Sequence, residues 1–380
     1  MESDLIRDYD FELPEELIAQ SPAEQRDQAR LLVVRRNPEV GLPRFEDLLV
    51  SDLPDLVRST PLLKQSLWVR NRSRVFAARF YARRPTGSRH EIVLLEEIEK
   101  DVWKALVRGH SSFRYPQVLK TRNPSIGSDD VKVSGNNLEV EINSPSPGII
   151  DMRSIAQSGV SVMDWLDRVA EMPLPPYIKH RDQLRDRQRY QSLWADPSKT
   201  LSVAAPTASL HFSQNLMDSL EREGVNFADL YLHVGLGTFE PFRGEKLSEH
   251  RLHEERLEVS AREIRKLKDA KSLGAIGTTA LRALESLSLH GEMARAEATL
   301  AINPDGRDAD VRGRTSLFVK PGFEFRYARF LWTNFHLPRS SLLVLVSTFC
   351  QSRSLALEAY QHAIARRYRF FSYGDASLWL

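Results

Sequence analysis

Cysteine is almost absent from this chain: Cys350 is the single one among 380 residues. A lone thiol excludes an intramolecular disulfide framework and fits a reducing compartment. No base adjoins Cys350 in the sequence, so it reads as a small packing residue rather than a nucleophile. Long hydrophobic runs are missing as well. The most apolar stretch, Ser341 to Phe349, falls far short of the roughly 20 residues that a helix needs to cross a bilayer. The acidic start, MESDLIRDYDFELPEELIAQ, lacks the apolar core of a signal peptide. Both absences lead to the expectation of a cytoplasmic protein with no membrane partner. An excess of one charge is lacking too, since 53 basic against 51 acidic residues leave a net +2. So weak an overall field does not steer a polyanion, and a nucleic-acid partner then requires positive charge gathered locally. Internal repeats and low-complexity segments are also absent.

What is present is the composition of an ordinary globular protein, 42% apolar and 27% charged, at a length that suggests about two domains. The first 60 residues suggest a helix starting at Pro14-Glu15-Glu16, a short buried strand at LLVV and a short helix and loop over Phe45 to Leu56. From Ser66 the texture changes to short runs of β-formers (SLWVRNRSRVFAARFYA, EIVLLEEI, DVWKALVRG, VKVSG, LEVEINS) broken by Gly, Pro, Asn and Ser. This spacing indicates a barrel or a sandwich, a small all-β domain, with a hairpin over Val131 to Glu141 that turns at Gly135-Asn136-Asn137. Beyond Pro147-Gly148 the pattern becomes helical: Val162, Trp165, Leu166 and Val169 share a face, and PLPPYI leads to a basic helix over Lys179 to Arg189. Ser213 reads as an N-cap, Gly224 as a C′ residue, and Ser260 with Glu263 as a capping box. Leu273 to Ile276 and Ser316 to Val319 read as strands, and Leu355 to Arg366 as an amphipathic helix. The expected fold is therefore an α/β protein, a three-layer α/β sandwich over residues 1–61 and 151–380, interrupted by an inserted small all-β domain over 62–150.

Leu201 to Phe242 is the stretch most suggestive of a site. It reads as strand, polar loop with Thr207 and His211, helix, and a strand that ends at His233 before Gly235-Leu236-Gly237-Thr238. Ligands in α/β proteins bind at the carboxyl ends of strands. A second such edge follows Ile276, where Gly277-Thr278-Thr279 opens a helix and forms a natural anion cradle. Histidines carry the sharpest chemical signal: His211, His233, His250, His253 and His336 lie near strand or loop ends. His250, His253 and Glu255 have the residue types of a metal site, but the HxxHxE spacing fixes no fourth ligand and differs from the helical HExxH arrangement. No metal is expected.

The segments DYDFELPEELIAQ, RDQARLLV, LPPYI, RYQ, SVAAPTASLHF, LHVGLGTFEPF, HRLHEE, AIGTTALRALES, LFVKPG, TNFHLPRSSLLVLVS and YRFFSYGDA resemble, in order, the motifs of the S-adenosylmethionine:tRNA ribosyltransferase-isomerase family. The resemblance runs from residue 8 to residue 376 and covers nearly the whole chain. It implies a queuosine-pathway enzyme that uses S-adenosylmethionine as co-substrate. Such an enzyme transfers the ribosyl moiety onto 7-aminomethyl-7-deazaguanine at the wobble position of a tRNA and isomerises it to epoxyqueuosine, releasing adenine and methionine. The resemblance also implies a larger α/β domain interrupted by a barrel.

The chemistry narrows the residues. The sulfonium acidifies the adjacent ribose carbon, so a base is needed there; adenine leaves more readily with a proton; and the substrate amine attacks as the free base. Histidine suits these tasks near neutral pH. The candidates for acid and base are His211, His233, His253 and His336, with Glu255 facing the sulfonium or orienting a histidine. Thr207, Gly235, Gly237, Thr238, Gly277, Thr278, Thr279 and Asn334 are expected to line the donor pocket. Tyr190, Phe212, Phe239 and Phe335 are the aromatics nearest these motifs and are candidates to receive a base taken out of its stack. The run Lys179 to Arg189 is the expected tRNA contact, through Lys179, Arg181, Arg185, Arg187 and Arg189 with Tyr190, in a protein expected to act as a monomer. Three positions depart from the family pattern. Asn71-Arg72-Ser73-Arg74-Val75 stands where the family reads Asn-Asp-Thr-Arg-Val, Ser209 replaces a glycine, and Ser316 replaces an aspartate. A non-catalytic or altered-specificity tRNA-binding relative is the alternative, and a metal-dependent hydrolase on His250, His253 and Glu255 a further one.

Overall fold

In the computed structural model the described residues are 3–42, 44–121, 138–144, 147–235, 242, 244–293, 295–302 and 310–380. The strands are β1 (Arg30–Val34), β2 (Phe45–Leu49), β3 (Leu67–Asn71), β4 (Arg74–Val75), β5 (Arg79–Arg83), β6 (Arg89–Glu99), β7 (Val102–Val107), β8 (Gln117–Thr121), β9 (Leu138–Ile142), β10 (Gly148–Asp151), β11 (Thr200–Ser202), β12 (Asn226–His233), β13 (Glu255–Val259), β14 (Leu273–Ile276), β15 (Ala298–Ile302), β16 (Val311–Thr315), β17 (Ala328–Asn334) and β18 (Ala376–Trp379). The helices are α1 (Leu53–Ser59), α2 (Pro61–Gln65), α3 (Arg153–Gln157), α4 (Val162–Val169), α5 (Leu184–Arg189), α6 (Gln214–Arg222), α7 (Ala261–Asp269), α8 (Thr278–Ser286), α9 (Ser341–Phe349) and α10 (Arg353–Ala365).

Ten strands form one mixed sheet in the order β15-β16-β13-β12-β3-β14-β17-β18-β1-β2. Its centre, β12-β3-β14-β17, is parallel. Alternation along each strand sends side chains to two cores. Leu32, Val34, Val69 and Leu331 face the core under α7 to α10, whereas Leu31, Val33, Trp68 and Trp332 face the one under α1, α2 and α6. Helices on both faces of one sheet make the three-layer α/β sandwich. Within the sheet, Gly274 of β14 pairs with Phe330 of β17, and a Cβ there would lie 1.9 Å from the Phe330 ring. Only glycine fits there.

The six antiparallel strands β10-β7-β6-β5-β8-β9 close into a barrel that has its own core around Phe80, Trp103 and Trp165. The barrel strands begin at Arg79, later than the expected boundary. Leu67–Asn71, expected within the insert, pairs in parallel with β12 and β14 in the large sheet. The reason is burial on both faces: Trp68 and Val69 are fully buried and point to opposite cores.

Several local expectations hold. Ser213 caps α6 by accepting the Leu216 N–H, Gly224 has φ +87° after α6, and Ser260 accepts the Glu263 N–H at the start of α7, although the Glu263 carboxylate takes the Asp229 N–H instead of completing a capping box. Others are corrected. Phe45–Leu49 is an edge strand antiparallel to β1, and the helix starts only at Leu53, after Asp52 has accepted the Leu49 N–H. Pro14-Glu15-Glu16 gives only a turn of 3-10 helix, because Ile18 already bridges to Phe370. The basic stretch is helical only from Leu184, and the strand expected over Ser316 to Val319 lies one segment earlier, as β16. The turn Gly135-Asn136-Asn137 lies outside the described residues.

No helix among the described residues is long and apolar enough to cross a membrane.

Candidate active site

The parallel strands β12, β3, β14 and β17 end along one edge, and a cavity of about 640 Å³ opens there. That is within the roughly 300–1,000 Å³ range of small-molecule sites. Thr207, Gly277, Thr278, Thr279, Asn334 and His336 line it. Gly277 makes the turn from β14 into α8 at φ 91° and ψ 152°, a region essentially closed to other residues. A Cβ there would also meet the Ala208 Cβ at 3.3 Å. The amino end of α8 is thereby set against the cavity. Ser340, Ser341 and Leu342, at the start of α9, line it too, and Ser340 caps α9 by accepting the Leu343 N–H. Two helix amino termini thus open onto one space, and both favour negative charge.

The candidate histidines separate. His336 is buried and lines the cavity, with Nε2 at 3.0 Å from Thr333 Oγ1 and its backbone N–H donating to the Tyr360 hydroxyl. Burial alone pushes its pKa down to about 3, so the ring is neutral at physiological pH. His211, equally buried, stands behind the wall, where Nε2 accepts from the Asn334 amide at 3.2 Å. Burial first, and then the charge of Arg369, push it down to about 3. His233 is not among the cavity-lining residues. Alternation along β12 places it beside Tyr231, opposite the Leu230 and Leu232 face, with Nε2 at 3.4 Å from Glu258 Oε1. Glu258 also takes ion pairs from Lys199 and Arg256. The hydrogen bond from His233, followed by those charges and against the opposing effect of burial, brings its pKa down to about 2.

Gly235, His253 and Glu255 line an adjoining cleft of about 40 Å³ that shares Ser341 and Leu342 with the cavity. Glu255 is buried and pairs with the equally buried Arg282 at 2.6 Å. Arg282 also donates Nε–H to the Leu317 carbonyl, and its Nη2 has no partner among the described residues. This pairing speaks against the metal reading. His250 stacks on Phe242 at 4.0 Å, and no three His, Cys, Asp or Glu groups among the described residues are placed to share an ion. Gly237, Thr238 and Phe239 lie outside the described residues.

The basic run divides likewise. Arg187 donates to the Asp167 and Ala170 carbonyls and Arg189 to those of Ala23 and Glu24, so their guanidinium groups fasten the fold. Tyr190 is fully buried against Tyr373, which removes it from any nucleic-acid surface, and Phe212 is likewise enclosed, by Trp194 and Trp332. Lys179, Arg181 and Arg185 are exposed, Lys179 beside Glu15.

Other wall residues were not singled out from sequence. Tyr177 stacks on Phe371 at 4.3 Å and 29°, and both line the cavity with Ser372. Phe371 and Arg339, both on this wall, have φ of +71° and +53°, which for non-glycine residues costs on the order of 1–3 kcal/mol each. LPPYI and YRFFSYGDA carry these aromatics, and a strained wall of this kind is invisible in residue type. Of the departing positions, Arg72 pairs with Asp229 at 3.0 Å and donates to the Trp194 carbonyl, Ser209 donates to the Pro206 carbonyl, and the Ser316 hydroxyl lies 3.4 Å from the Glu297 carbonyl.

Residues 6–379 match the model of a family described as queuosine biosynthesis protein. The S-adenosylmethionine:tRNA ribosyltransferase-isomerase of Thermotoga petrophila is 38% identical over 377 residues, covering 98% of this chain and 99% of the relative. That of Nitrosospira multiformis is 39% identical over 379 residues, covering 98% of both. The crystal structure of the S-adenosylmethionine tRNA ribosyltransferase of Thermotoga maritima aligns with a TM-score of 0.50 at 30% identity, covering 98% of this chain and 100% of that one.

Proposed function

The chain belongs to the queuosine biosynthesis family, that of the S-adenosylmethionine:tRNA ribosyltransferase-isomerases, and from that premise we propose that its reaction takes place in the cavity at the carboxyl edge of the sheet. The enzyme transfers the ribosyl moiety of S-adenosylmethionine onto 7-aminomethyl-7-deazaguanine at the wobble position of a tRNA. It isomerises that group to give epoxyqueuosine, and adenine and methionine leave.

The observation that supports this placement is the convergence of two helix amino termini and a buried neutral histidine on one cavity of suitable size. The donor carries a carboxylate and a sulfonium. In the proposed arrangement the carboxylate lies toward the helix ends, where backbone N–H groups and the helix dipoles favour it. His336 is the proposed base for the ribose carbon next to the sulfonium. A ring kept neutral by burial presents a free lone pair without repelling the cation. His253, in the cleft that meets the cavity at the start of α9, is the proposed second acid–base residue of the site, and Glu255 fixes Arg282 next to it. Thr207, Thr278, Thr279 and Asn334 are proposed to hold the donor, with Asn334 kept in place by His211. His233 is assigned a supporting role through Glu258 rather than contact with the donor.

Lys179, Arg181 and Arg185 are the proposed contacts to the tRNA backbone. The reading includes a monomer working in the cytoplasm, the former checked by sedimentation and the latter by fractionation. The test of the reaction is to mix the protein with S-adenosylmethionine and tRNA carrying the deazaguanine precursor. Release of adenine, dependent on both substrates, is expected; its absence with a folded protein overturns the reading, and points instead to a tRNA-binding relative without catalysis.

A further inference from the structure

Asn334 is 1% exposed on the wall of the cavity, and its Oδ1 has no partner among the described residues. Its amide nitrogen donates twice, to Nε2 of His211 at 3.2 Å and to the carbonyl of Phe371 at 3.0 Å. Both amide hydrogens are therefore used, and the two acceptors fix which way the amide lies. What remains for a ligand is a carbonyl oxygen. A buried acceptor left without a donor is costly, so this corner is built for a ligand that brings an N–H group.

The same corner has a flat apolar wall. Phe371, whose carbonyl orients the amide, stacks on Tyr177, and both rings line the cavity. A ligand that meets both features is planar and carries an N–H donor on its edge. Burial keeps His211 neutral here, so the surroundings favour an uncharged donor over an ammonium group.

We propose that this corner is the adenine subsite of the donor: Asn334 Oδ1 accepts a hydrogen bond from the exocyclic amino group of adenine, the base packs against the wall made by the stacked Tyr177 and Phe371 rings, and His211 is a positioning residue that holds the Asn334 amide. The proposal rests on the reading of the cavity as the S-adenosylmethionine site. It also identifies which end of the donor lies where. The methionyl carboxylate is left for the helix amino termini, and the ribose lies between.

The test compares adenine with hypoxanthine, and S-adenosylmethionine with its 6-oxo analogue, by calorimetric binding to the full chain. The 6-oxo group faces Asn334 Oδ1 with an acceptor. The wild-type protein should prefer the amino compounds about 10- to 100-fold, as expected when one buried hydrogen bond is replaced by an unpaired acceptor. Asn334→Leu should bring the preference to near unity. His211→Phe, which frees the amide to turn, should lower it as well, and His211→Gln, which keeps an acceptor, should restore it. Should Asn334→Leu fail to fold, the His211 pair decides. An unchanged preference in folded Asn334→Leu or in His211→Phe, or no preference in the wild type, overturns the subsite. Failure of the wild type to bind S-adenosylmethionine overturns instead the reading of the cavity on which it stands.

Discussion

His211 and His336 are both buried and both neutral, yet only His336 lines the cavity. The account therefore assigns the proton transfer to His336, and His336→Ala is expected to slow ribosyl transfer by about 10²- to 10⁴-fold. Single-turnover kinetics with saturating S-adenosylmethionine and precursor tRNA check this; wild-type turnover contradicts it. The same two rings link stability to pH. Each has a folded pKa of about 3, below the 6.5 of a free histidine. As pH falls below 6.5 the unfolded chain takes up protons that the folded chain refuses, so stability is complete above 6.5 and declines toward pH 3. The slope is at most about 1.4 kcal/mol per pH unit for each ring. Glu258, with its pKa lowered to about 2 from 4.5, adds a loss in the same direction at lower pH. Thermal unfolding followed from pH 7 to pH 5 should show a falling midpoint, with a shallower fall in His336→Gln. An equal slope in the variant contradicts burial of a neutral ring. From the sequence, residue type and the ends of strands were legible, but the facing of side chains was only half so. The alternation of Leu230 and Leu232 already placed His233 on the other face. His211 sits in a 3-10 turn, where no period tells which way a side chain points.

Among the elements, α8 is the one whose position the site depends on most. Gly277→Ala forces a side chain into backbone space that costs roughly 1–3 kcal/mol and against Ala208. The expected outcome is a lower unfolding midpoint together with weaker S-adenosylmethionine binding, read by calorimetry; unchanged binding contradicts the role of this helix end. Ser340→Ala removes the cap of α9 and is expected to lose about 0.5–2 kcal/mol of stability in denaturant unfolding. Caps of this kind were legible because they are local: a serine accepting an N–H three residues on needs nothing from the rest of the chain. β2 and β3 were misread because their surroundings decide them. FEDLL suits a helix turn until β1 offers it an edge, and LWVRN has the same β-forming texture as the barrel strands that follow. Its membership of the large sheet depends on β12, more than 150 residues away in the chain, and on β14, about 200 away.

For the whole molecule, the cavity wall gathers Ile6, Tyr177, Val234, Gly277, Asn334 and Phe371, which are spread over most of the chain. The overall α/β class with an inserted all-β domain was legible from changes of texture, and its closure into a barrel from the family motifs; the identity of the wall was not, because it exists only once the sheet and the post-barrel connector meet. With a net charge of +2, tRNA affinity is expected to depend on a few exposed arginines. Arg181→Ala with Arg185→Ala should reduce the dependence of log K on log salt by about 2 if each residue meets one phosphate. An unchanged slope places the contact elsewhere. The most direct measurement of the central claim is mass analysis of the anticodon nucleosides of precursor tRNA after incubation with S-adenosylmethionine and the protein. The account predicts conversion of 7-aminomethyl-7-deazaguanosine to epoxyqueuosine with adenine and methionine released in equal amounts, and loss of that conversion in His336→Ala; an unmodified wobble nucleoside with the wild-type protein would contradict it.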